Sequence, residues 1–178
     1  MSRAQPWLHL VLTGPMGSGK TTVGEILAAD LGVPFLDSDF QIEASLGVTG
    51  RLLAERQGVE RLHDAEAEAL EKALEGTEPS VIAAAASIGD RSDLVAALAG
   101  DDAFLVLLVG EPEVLVGRTD SGGHRRRFDM DEFRRSAARR TRQVGTVADL
   151  VVDVTIETPD QIARRILSAA RDGSVPAN

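Results

Sequence analysis

The stretch Gly14-Pro15-Met16-Gly17-Ser18-Gly19-Lys20-Thr21-Thr22 sets the architecture of this chain. It matches the pattern G-x-x-x-x-G-K-[ST], in which a glycine-rich turn wraps its backbone N–H groups around the phosphates of a nucleotide. An apolar run at residues 8–12 precedes the stretch, and a segment with helical spacing of its apolar residues follows at 20–31. A buried strand, the turn and a helix are the context that this motif requires, so the sequence predicts a phosphate-binding loop.

The residues of this loop have distinct predicted roles. The glycines lack a Cβ, so the backbone is free to approach an anion closely. The helix that follows adds the partial positive charge of its N-terminus. Lys20 is expected to reach the β- and γ-phosphates, and the Thr21 hydroxyl is expected to bind Mg²⁺. The predicted nucleotide-binding residues of the loop are Gly14, Gly17, Ser18, Gly19, Lys20, Thr21 and Thr22.

Length, composition and charge limit the classes of protein to consider. With 178 residues, 43% of them hydrophobic, the chain is expected to form one domain over residues 1–178. It has no cysteine, which excludes disulfides and thiolate metal sites. A net charge of −9 argues against nucleic-acid binding. No apolar run is long enough to cross a membrane, and residues 1–6 lack a secretion-signal layout, so a cytoplasmic protein is expected. We also predict a monomer.

Short apolar runs alternate with helical segments along the chain, which predicts an α/β fold of βαβ units around a parallel sheet. Strands are expected at residues 8–12, 33–36, 80–86, 103–109 and 150–154. The fourth of them is the most apolar, and this predicts a central position in the sheet. Helices are expected at residues 20–31, 39–46, 49–57, 59–75, 90–99, 112–118, 131–143 and 159–171, before a short tail at 173–178. Asp90 is predicted to cap the fifth of these helices.

Polar residues beyond the loop are candidates for a second binding site. Asp37 and Asp39 follow the second strand, at the sheet edge where ligands bind in open α/β folds. Asp37 is a candidate to hold Mg²⁺ through water, and Asp39 to orient an acceptor hydroxyl and accept its proton. Both aspartates equally suit helix capping. His63 and Glu66 share a helix face on which they would bind and orient an anionic substrate, although an incidental exposed pair is the more frequent reason for this spacing.

Arginines and glycines are concentrated in the segment 119–129, which has no apolar periodicity. Arg118 precedes it, and Arg125, Arg126 and Arg127 follow Gly122-Gly123. A mobile loop with arginines is able to close over a triphosphate and stabilise charge on the transferred phosphoryl group. We therefore predict a lid at about 119–129, and the alternative is a basic surface loop.

In their order along the chain, these motifs resemble those of the shikimate kinase family. The resemblance rests on the loop followed by Val23-Gly24, on Phe35-Leu36-Asp37-Ser38-Asp39, on Arg118-Thr119 and on two later arginines, Arg125 and Arg140. It implies a nucleoside monophosphate kinase-like P-loop fold, with three αβα layers and a five-stranded parallel sheet. It also implies ATP-dependent, Mg²⁺-supported phosphoryl transfer to a hydroxyl of a small polyhydroxy acid, shikimate by default, within aromatic amino acid biosynthesis.

The resemblance also implies roles for individual residues. Asp37 would lie near Mg²⁺, and Asp39 would bind the hydroxyls of the acceptor within an acceptor-binding region at about 38–75. Arg118 would lie against the adenine, and Arg140 would hold the substrate carboxylate. The predicted catalytic residues are Lys20, Asp39 and Arg125, the last of them on the lid.

Several positions depart from the family pattern, and most of them are on the acceptor side. The family has phenylalanine-arginine where this chain has Leu62-His63, and three glycines where it has Ala85-Ala86-Ser87. Histidine forms at most one hydrogen bond to a carboxylate in a given pose, whereas arginine forms two. Side chains in place of glycines are expected to narrow the pocket. The candidate substrate contacts are Asp39, His63, Ala85, Ala86, Ser87 and Arg140.

Two alternatives stay open at this point. A gluconate or other sugar-acid kinase shares the fold, although the histidine-proline element expected after the aspartates is absent. A catalytically weak nucleotide-binding regulatory protein would also tolerate changes confined to the acceptor pocket. The two kinase hypotheses take a small hydroxy acid as partner, and none of the three requires nucleic acid or a membrane.

Overall fold

The strands of the computed structural model, which describes residues 7–119 and 129–172, form one parallel sheet. In chain order these strands are β1 (His9–Thr13), β2 (Phe35–Asp37), β3 (Ser80–Ala83), β4 (Ala103–Val109) and β5 (Leu150–Asp153). The order in the sheet is β2-β3-β1-β4-β5, and all neighbouring pairs are parallel. The predicted fold class and the five-stranded parallel sheet are confirmed.

Helices connect the strands and cover both faces of the sheet. They are α1 (Lys20–Leu31), α2 (Ser38–Leu46), α3 (Gly50–Gln57), α4 (Val59–Leu74), α5 (Ser92–Leu98), α6 (Pro112–Thr119), α7 (Met130–Gly145) and α8 (Pro159–Asp172). A 3₁₀ turn (Ala86–Asp90) lies between β3 and α5. Among the described residues, no helix has the length and apolarity needed to cross a membrane.

Two hydrophobic clusters sandwich the sheet, because alternate residues of a strand point to opposite faces. Leu10 and Leu12 of β1 pack with α1 and α8 in one cluster. Val11, between them, packs in the other cluster with residues of α4, α5 and α7. All three side chains are fully buried. The two layers leave the carboxyl ends of the strands free to carry the loops of a site.

Several details of the prediction are wrong, among them the bounds of β2, which is Phe35–Asp37 and not 33–36. The central strand is β1 and not β4. The apolar sequence of β4 does not distinguish the two positions, because a strand next to the centre is also buried on both faces. β3 ends at Ala83 and not at Ala86, because its neighbours β1 and β2 then leave the sheet for the phosphate loop and α2. Asp90 does not cap α5, whose N-cap residue is Arg91. Asp90 faces α7 instead, where arginines bind it.

Two predicted segments cannot be compared with the structure. The lid at 119–129, including Arg125, lies outside the described residues except for its first and last positions. The tail at 173–178 also lies outside them. Both stay predictions.

Candidate active site

The loop between β1 and α1 has the backbone that its glycines predict. Gly17 has a φ of 80°, in the left-handed region that favours glycine. A Cβ at this position would lie 2.0 Å from the carbonyl oxygen of Leu115 in α6. A Cβ at Gly14 would lie 2.3 Å from the carbonyl oxygen of Leu108 in β4. The loop is therefore packed against its neighbours so closely that side chains at these positions would displace it.

Two polar side chains of the loop are suited to an anion. Lys20 Nζ donates hydrogen bonds to the carbonyl oxygens of Gly14 (2.9 Å) and Pro15 (3.2 Å), so the ammonium group is folded over its own loop. Burial lowers the pKa of Lys20, and the nearby carboxylates of Asp39, Asp37 and Glu66 partly oppose this. Ser18 Oγ is buried and has no hydrogen-bond partner in the described part of the chain. Phosphate oxygens would supply the partner that Ser18 lacks, and they would offer Lys20 a charged partner in place of the carbonyl oxygens.

Asp37 uses its two carboxylate oxygens for two purposes. Oδ2 accepts a hydrogen bond of 2.8 Å from Thr21 Oγ1, and Oδ1 accepts one of 2.9 Å from the backbone N–H of Asp39 at the start of α2. Asp37 thus caps α2, and it also contacts Thr21, the other residue predicted to hold Mg²⁺. α1 lies close enough for this contact because Gly24 packs against the ring of Phe35, only 2.3 Å from where a Cβ would stand.

The donor set around Thr21 and Asp37 fits Mg²⁺. One hydroxyl and one carboxylate, with phosphates and water completing the shell, is the arrangement that Mg²⁺ favours in nucleotide sites. Over residues 7–119 and 129–172, no group of three or more His, Cys, Asp or Glu side chains is placed to hold a metal on its own. The protein therefore offers a partial shell to be completed by a nucleotide.

A cleft of about 470 Å³ joins the phosphate loop to the predicted acceptor residues. Its lining includes Lys20, Thr21, Asp37, Asp39, His63, Glu66, Ala85, Ala86, Ser87 and Arg140. These residues come from β2, α1, α2, α4, α7 and the segment that follows β3. The structure thus brings together every predicted substrate contact beside the lysine of the loop.

Asp39 lies in the first turn of α2 and faces Lys20 across the cleft. Partial burial raises its pKa, the charge of Asp37 raises it further, and Lys20 opposes both. A carboxylate with a raised pKa is a stronger base for the proton of an acceptor hydroxyl. The geometry is compatible with the predicted role in proton transfer.

Ser87, Glu66 and His63 interact at the wall of the cleft. Ser87 Oγ donates a hydrogen bond to Glu66 Oε2. Burial raises the pKa of Glu66, and this bond and the nearby His63 are the main effects that lower it. The side chain that replaces a family glycine at position 87 therefore holds the carboxylate of Glu66. This contact is not evident from the sequence, since the two residues are 21 positions apart.

Arg140 points into the cleft from α7 but is already paired. Its guanidinium binds Asp90, with Nε 2.9 Å and Nη2 2.7 Å from Oδ2. The sequence predicts a helix cap at Asp90 and gives no sign of its contact with Arg140. The rule that identified Asp37 and Asp39, that ligand-binding residues follow the carboxyl ends of strands, would also have selected this position after β3.

Arg118 lies at the end of α6, away from the acceptor cleft. Its Nη2 donates to the carbonyl oxygens of Val154 (2.8 Å) and Thr155 (3.2 Å) after β5. α6 also packs on the loop at Gly17, through the carbonyl group of Leu115. The predicted contact of Arg118 with adenine stays a prediction, as does the role of Arg125.

A phosphate-binding loop beside a polar pocket with a candidate base defines a P-loop phosphotransferase that acts on a small molecule. Comparison with known proteins identifies the family within this class. The family described as shikimate kinase matches residues 16–171, and the chain belongs to this family. It is a kinase that transfers a phosphoryl group to a hydroxyl, as predicted.

Individual relatives support the assignment to the shikimate kinase family. A shikimate kinase of Moorella thermoacetica is 30% identical over 165 residues, which are 92% of this chain and 94% of that protein. The structure of shikimate kinase from Acinetobacter baumannii in complex with shikimate aligns with a TM-score of 0.82 at 24% identity, over 96% of both chains. A gluconokinase from Sinorhizobium meliloti 1021 aligns less well, with a TM-score of 0.68 at 26% identity over 94% of this chain and 93% of that one. The fold is common to both activities.

Proposed function

We propose that this protein transfers the γ-phosphoryl group of ATP to a hydroxyl of shikimate. The observation that carries the proposal is the single cleft in which Lys20 of the phosphate loop meets Asp39, His63 and Arg140. Arg140 and His63 suit the carboxylate of the acid as hydrogen-bond donors, and Asp39 suits its hydroxyls. Membership of the shikimate kinase family supports the same substrate.

On the nucleotide side, the loop N–H groups and Ser18 bind the phosphates. Lys20 leaves the carbonyl oxygens of Gly14 and Pro15 for the β- and γ-phosphates, where its charge stabilises the transferring group. Thr21 and, through water, Asp37 would hold Mg²⁺. When bound, this ion neutralises charge on the β- and γ-phosphate oxygens.

On the acceptor side, Asp39 orients the hydroxyl and takes its proton. The hydroxyl oxygen forms a bond to the γ-phosphorus as the bond from that phosphorus to the leaving ADP oxygen breaks. Arg140 and His63 hold the carboxylate, and Ala85, Ala86 and Ser87 form the wall. Four further statements stay predictions. They are that Arg118 lies at the adenine, that Arg125 lies on a closing lid, that the protein is a cytoplasmic monomer, and that it acts in aromatic amino acid biosynthesis.

Product analysis tests the proposal directly. The full chain is incubated with ATP, Mg²⁺ and either shikimate or gluconate, and phosphorylated products are identified by mass spectrometry. We expect phosphorylated shikimate and no phosphorylated gluconate. The gluconate arm is included because of the related gluconokinase fold. Phosphorylated gluconate alone would replace the proposed substrate, and nucleotide binding without product would favour a regulatory protein.

Rebuilding the acceptor wall is expected to improve the use of shikimate. His63→Arg combined with glycine at 85, 86 and 87 should raise kcat/KM for shikimate about tenfold, since one charged hydrogen bond of about 1.5–3 kcal/mol is gained. The arginine would also take over the contact with Glu66 that is lost with the Ser87 hydroxyl. The triple glycine variant with His63 retained is the control for pocket volume. A folded quadruple variant with unchanged kcat/KM would show that His63 does not contact the acceptor.

A further inference from the structure

The 3₁₀ turn Ala86–Asp90 lies directly against α7. Gly89 makes this approach possible, because a Cβ there would stand 2.9 Å from Cβ and 3.1 Å from Cα of Arg140. Two backbones this close hold the next residue, Asp90, in a defined position beside α7. The packing of the two backbones therefore positions the carboxylate of Asp90 beside the arginines of that helix.

Asp90 binds two consecutive arginines. Its Oδ1 accepts hydrogen bonds from Arg139 Nε (3.0 Å) and Nη2 (2.8 Å), and its Oδ2 is bound by Nε and Nη2 of Arg140. Burial tends to raise the pKa of Asp90, but the bonds from Arg140 and Arg139 outweigh it and lower the pKa. Only 22% of the Arg140 side chain is exposed, compared with 59% for Arg139. The pair with Arg140 is the shielded one, and Arg140 alone of the two arginines lines the acceptor cleft.

Asp90 occupies the edge of the Arg140 guanidinium that carries Nε and Nη2, and this affects how a substrate is able to bind. Nε and Nη2 form one of the edges through which an arginine binds a carboxylate with two parallel hydrogen bonds. In this protein an internal carboxylate lies on that edge. An acceptor carboxylate would have to displace Asp90, or bind the remaining Nη1 side next to a like charge.

We propose that Asp90 is a specificity-determining residue of the acceptor pocket, which competes with the carboxylate of the substrate for Arg140. The inference rests on the proposed function and extends it. Asp90 raises KM for a carboxylate acceptor and leaves a neutral polyol acceptor without this penalty. It acts on binding through Arg140 and has no part in the transfer step.

The variant Asp90→Asn tests the proposal, because it removes the charge and keeps the shape. We expect KM for shikimate to fall about tenfold, which corresponds to about 1.4 kcal/mol. We expect kcat and KM for ATP to stay unchanged. Asp90→Glu, which restores the charge, should keep KM near the wild-type value. The matched control is Asp93→Asn, an arginine-paired aspartate three residues along that binds Arg91 outside the cleft.

A neutral analogue of shikimate, with a hydroxymethyl group in place of the carboxylate, separates charge from shape. Its KM should be the same for the wild type and Asp90→Asn. A fall in KM for the analogue equal to that for shikimate would overturn the proposal in favour of a change in pocket shape. An unchanged or raised KM for shikimate in Asp90→Asn would overturn it in favour of a supporting role for Asp90.

Failure of the inference differs from failure of the proposed function. Wild-type turnover of shikimate with no effect of Asp90→Asn rejects the inference alone. If Asp90→Asn turns over shikimate and the wild type does not, the inference is supported and shikimate is rejected as the substrate of the native chain. If neither protein turns over shikimate, calorimetry with shikimate in the presence of ADP and Mg²⁺ decides, and tighter binding to Asp90→Asn supports the inference. Equal binding, or no binding to either protein, overturns it.

Discussion

Lys20→Ala is expected to lower kcat for phosphoryl transfer by roughly 10²–10³-fold, the cost of removing one preorganised group that stabilises transition-state charge. The lysine is the cation of the phosphate loop, and its burial in the cleft strengthens its attraction to phosphate. Phosphate binding should weaken as well, so stabilisation of the protein by ADP should shrink.

Folding should tolerate this change. Burial of the ammonium disfavours its charged form, and its hydrogen-bond partners in the structure are two carbonyl oxygens of its own loop. Alanine therefore removes a desolvation cost along with two hydrogen bonds. Steady-state kinetics and the ADP-induced shift in Tm measure the two effects. Lys72→Ala, at an exposed position on α4, is the matched control. Equal stabilisation of the wild type and Lys20→Ala by ADP would contradict the role of Lys20.

Asp39→Asn is expected to lower kcat by roughly 10²–10⁴-fold, the usual contribution of a positioned general base. The amide keeps the shape of the side chain but accepts no proton from the acceptor hydroxyl. Asp30→Asn, at an exposed position near the end of α1, is the control. A variant with the wild-type rate would remove Asp39 from the proposed mechanism.

The pH dependence gives a second test of Asp39. Its pKa is raised above the ordinary aspartate value by burial and by Asp37. The active form is the carboxylate, which is lost as pH falls through this raised pKa. The acid limb of kcat/KM should therefore lie at a higher pH than an ordinary aspartate would give, and Asp39→Asn should abolish that limb. An acid limb that persists in the variant would belong to another group.

Much of the nucleotide site was predictable because its parts are contiguous. The loop places three glycines, a lysine and two threonines within nine residues, and the backbone geometry of such a turn is a local property. The bounds of α1 were predicted correctly for the same reason, with the loop at one end and Gly32 at the other. The helix predicted at 49–57 forms as α3, and the side chain of Thr49 caps it by accepting a hydrogen bond from the N–H of Leu52.

The acceptor side was predictable only in part. The resemblance selected Asp39, His63 and Arg140, and the cleft brings them together. It did not indicate what these residues contact in this chain. The sequence suits Asp37 to either a helix cap or a metal site, and in the structure its two oxygens bind the N–H of Asp39 in α2 and the hydroxyl of Thr21 at once.

By itself, the sequence determined the phosphate-binding loop, the alternation of strands and helices and the family, because each is encoded by neighbouring residues or by motifs in a set order. Tertiary structure decided the central position of β1, the bond between Ser87 and Glu66, and the pairing of Asp90 with Arg140. Asp90 and Arg140 are 50 positions apart, and they meet because Gly89 lets a turn pack against α7. A pairing of this kind depends on how two surfaces fit, which no local pattern in the sequence records.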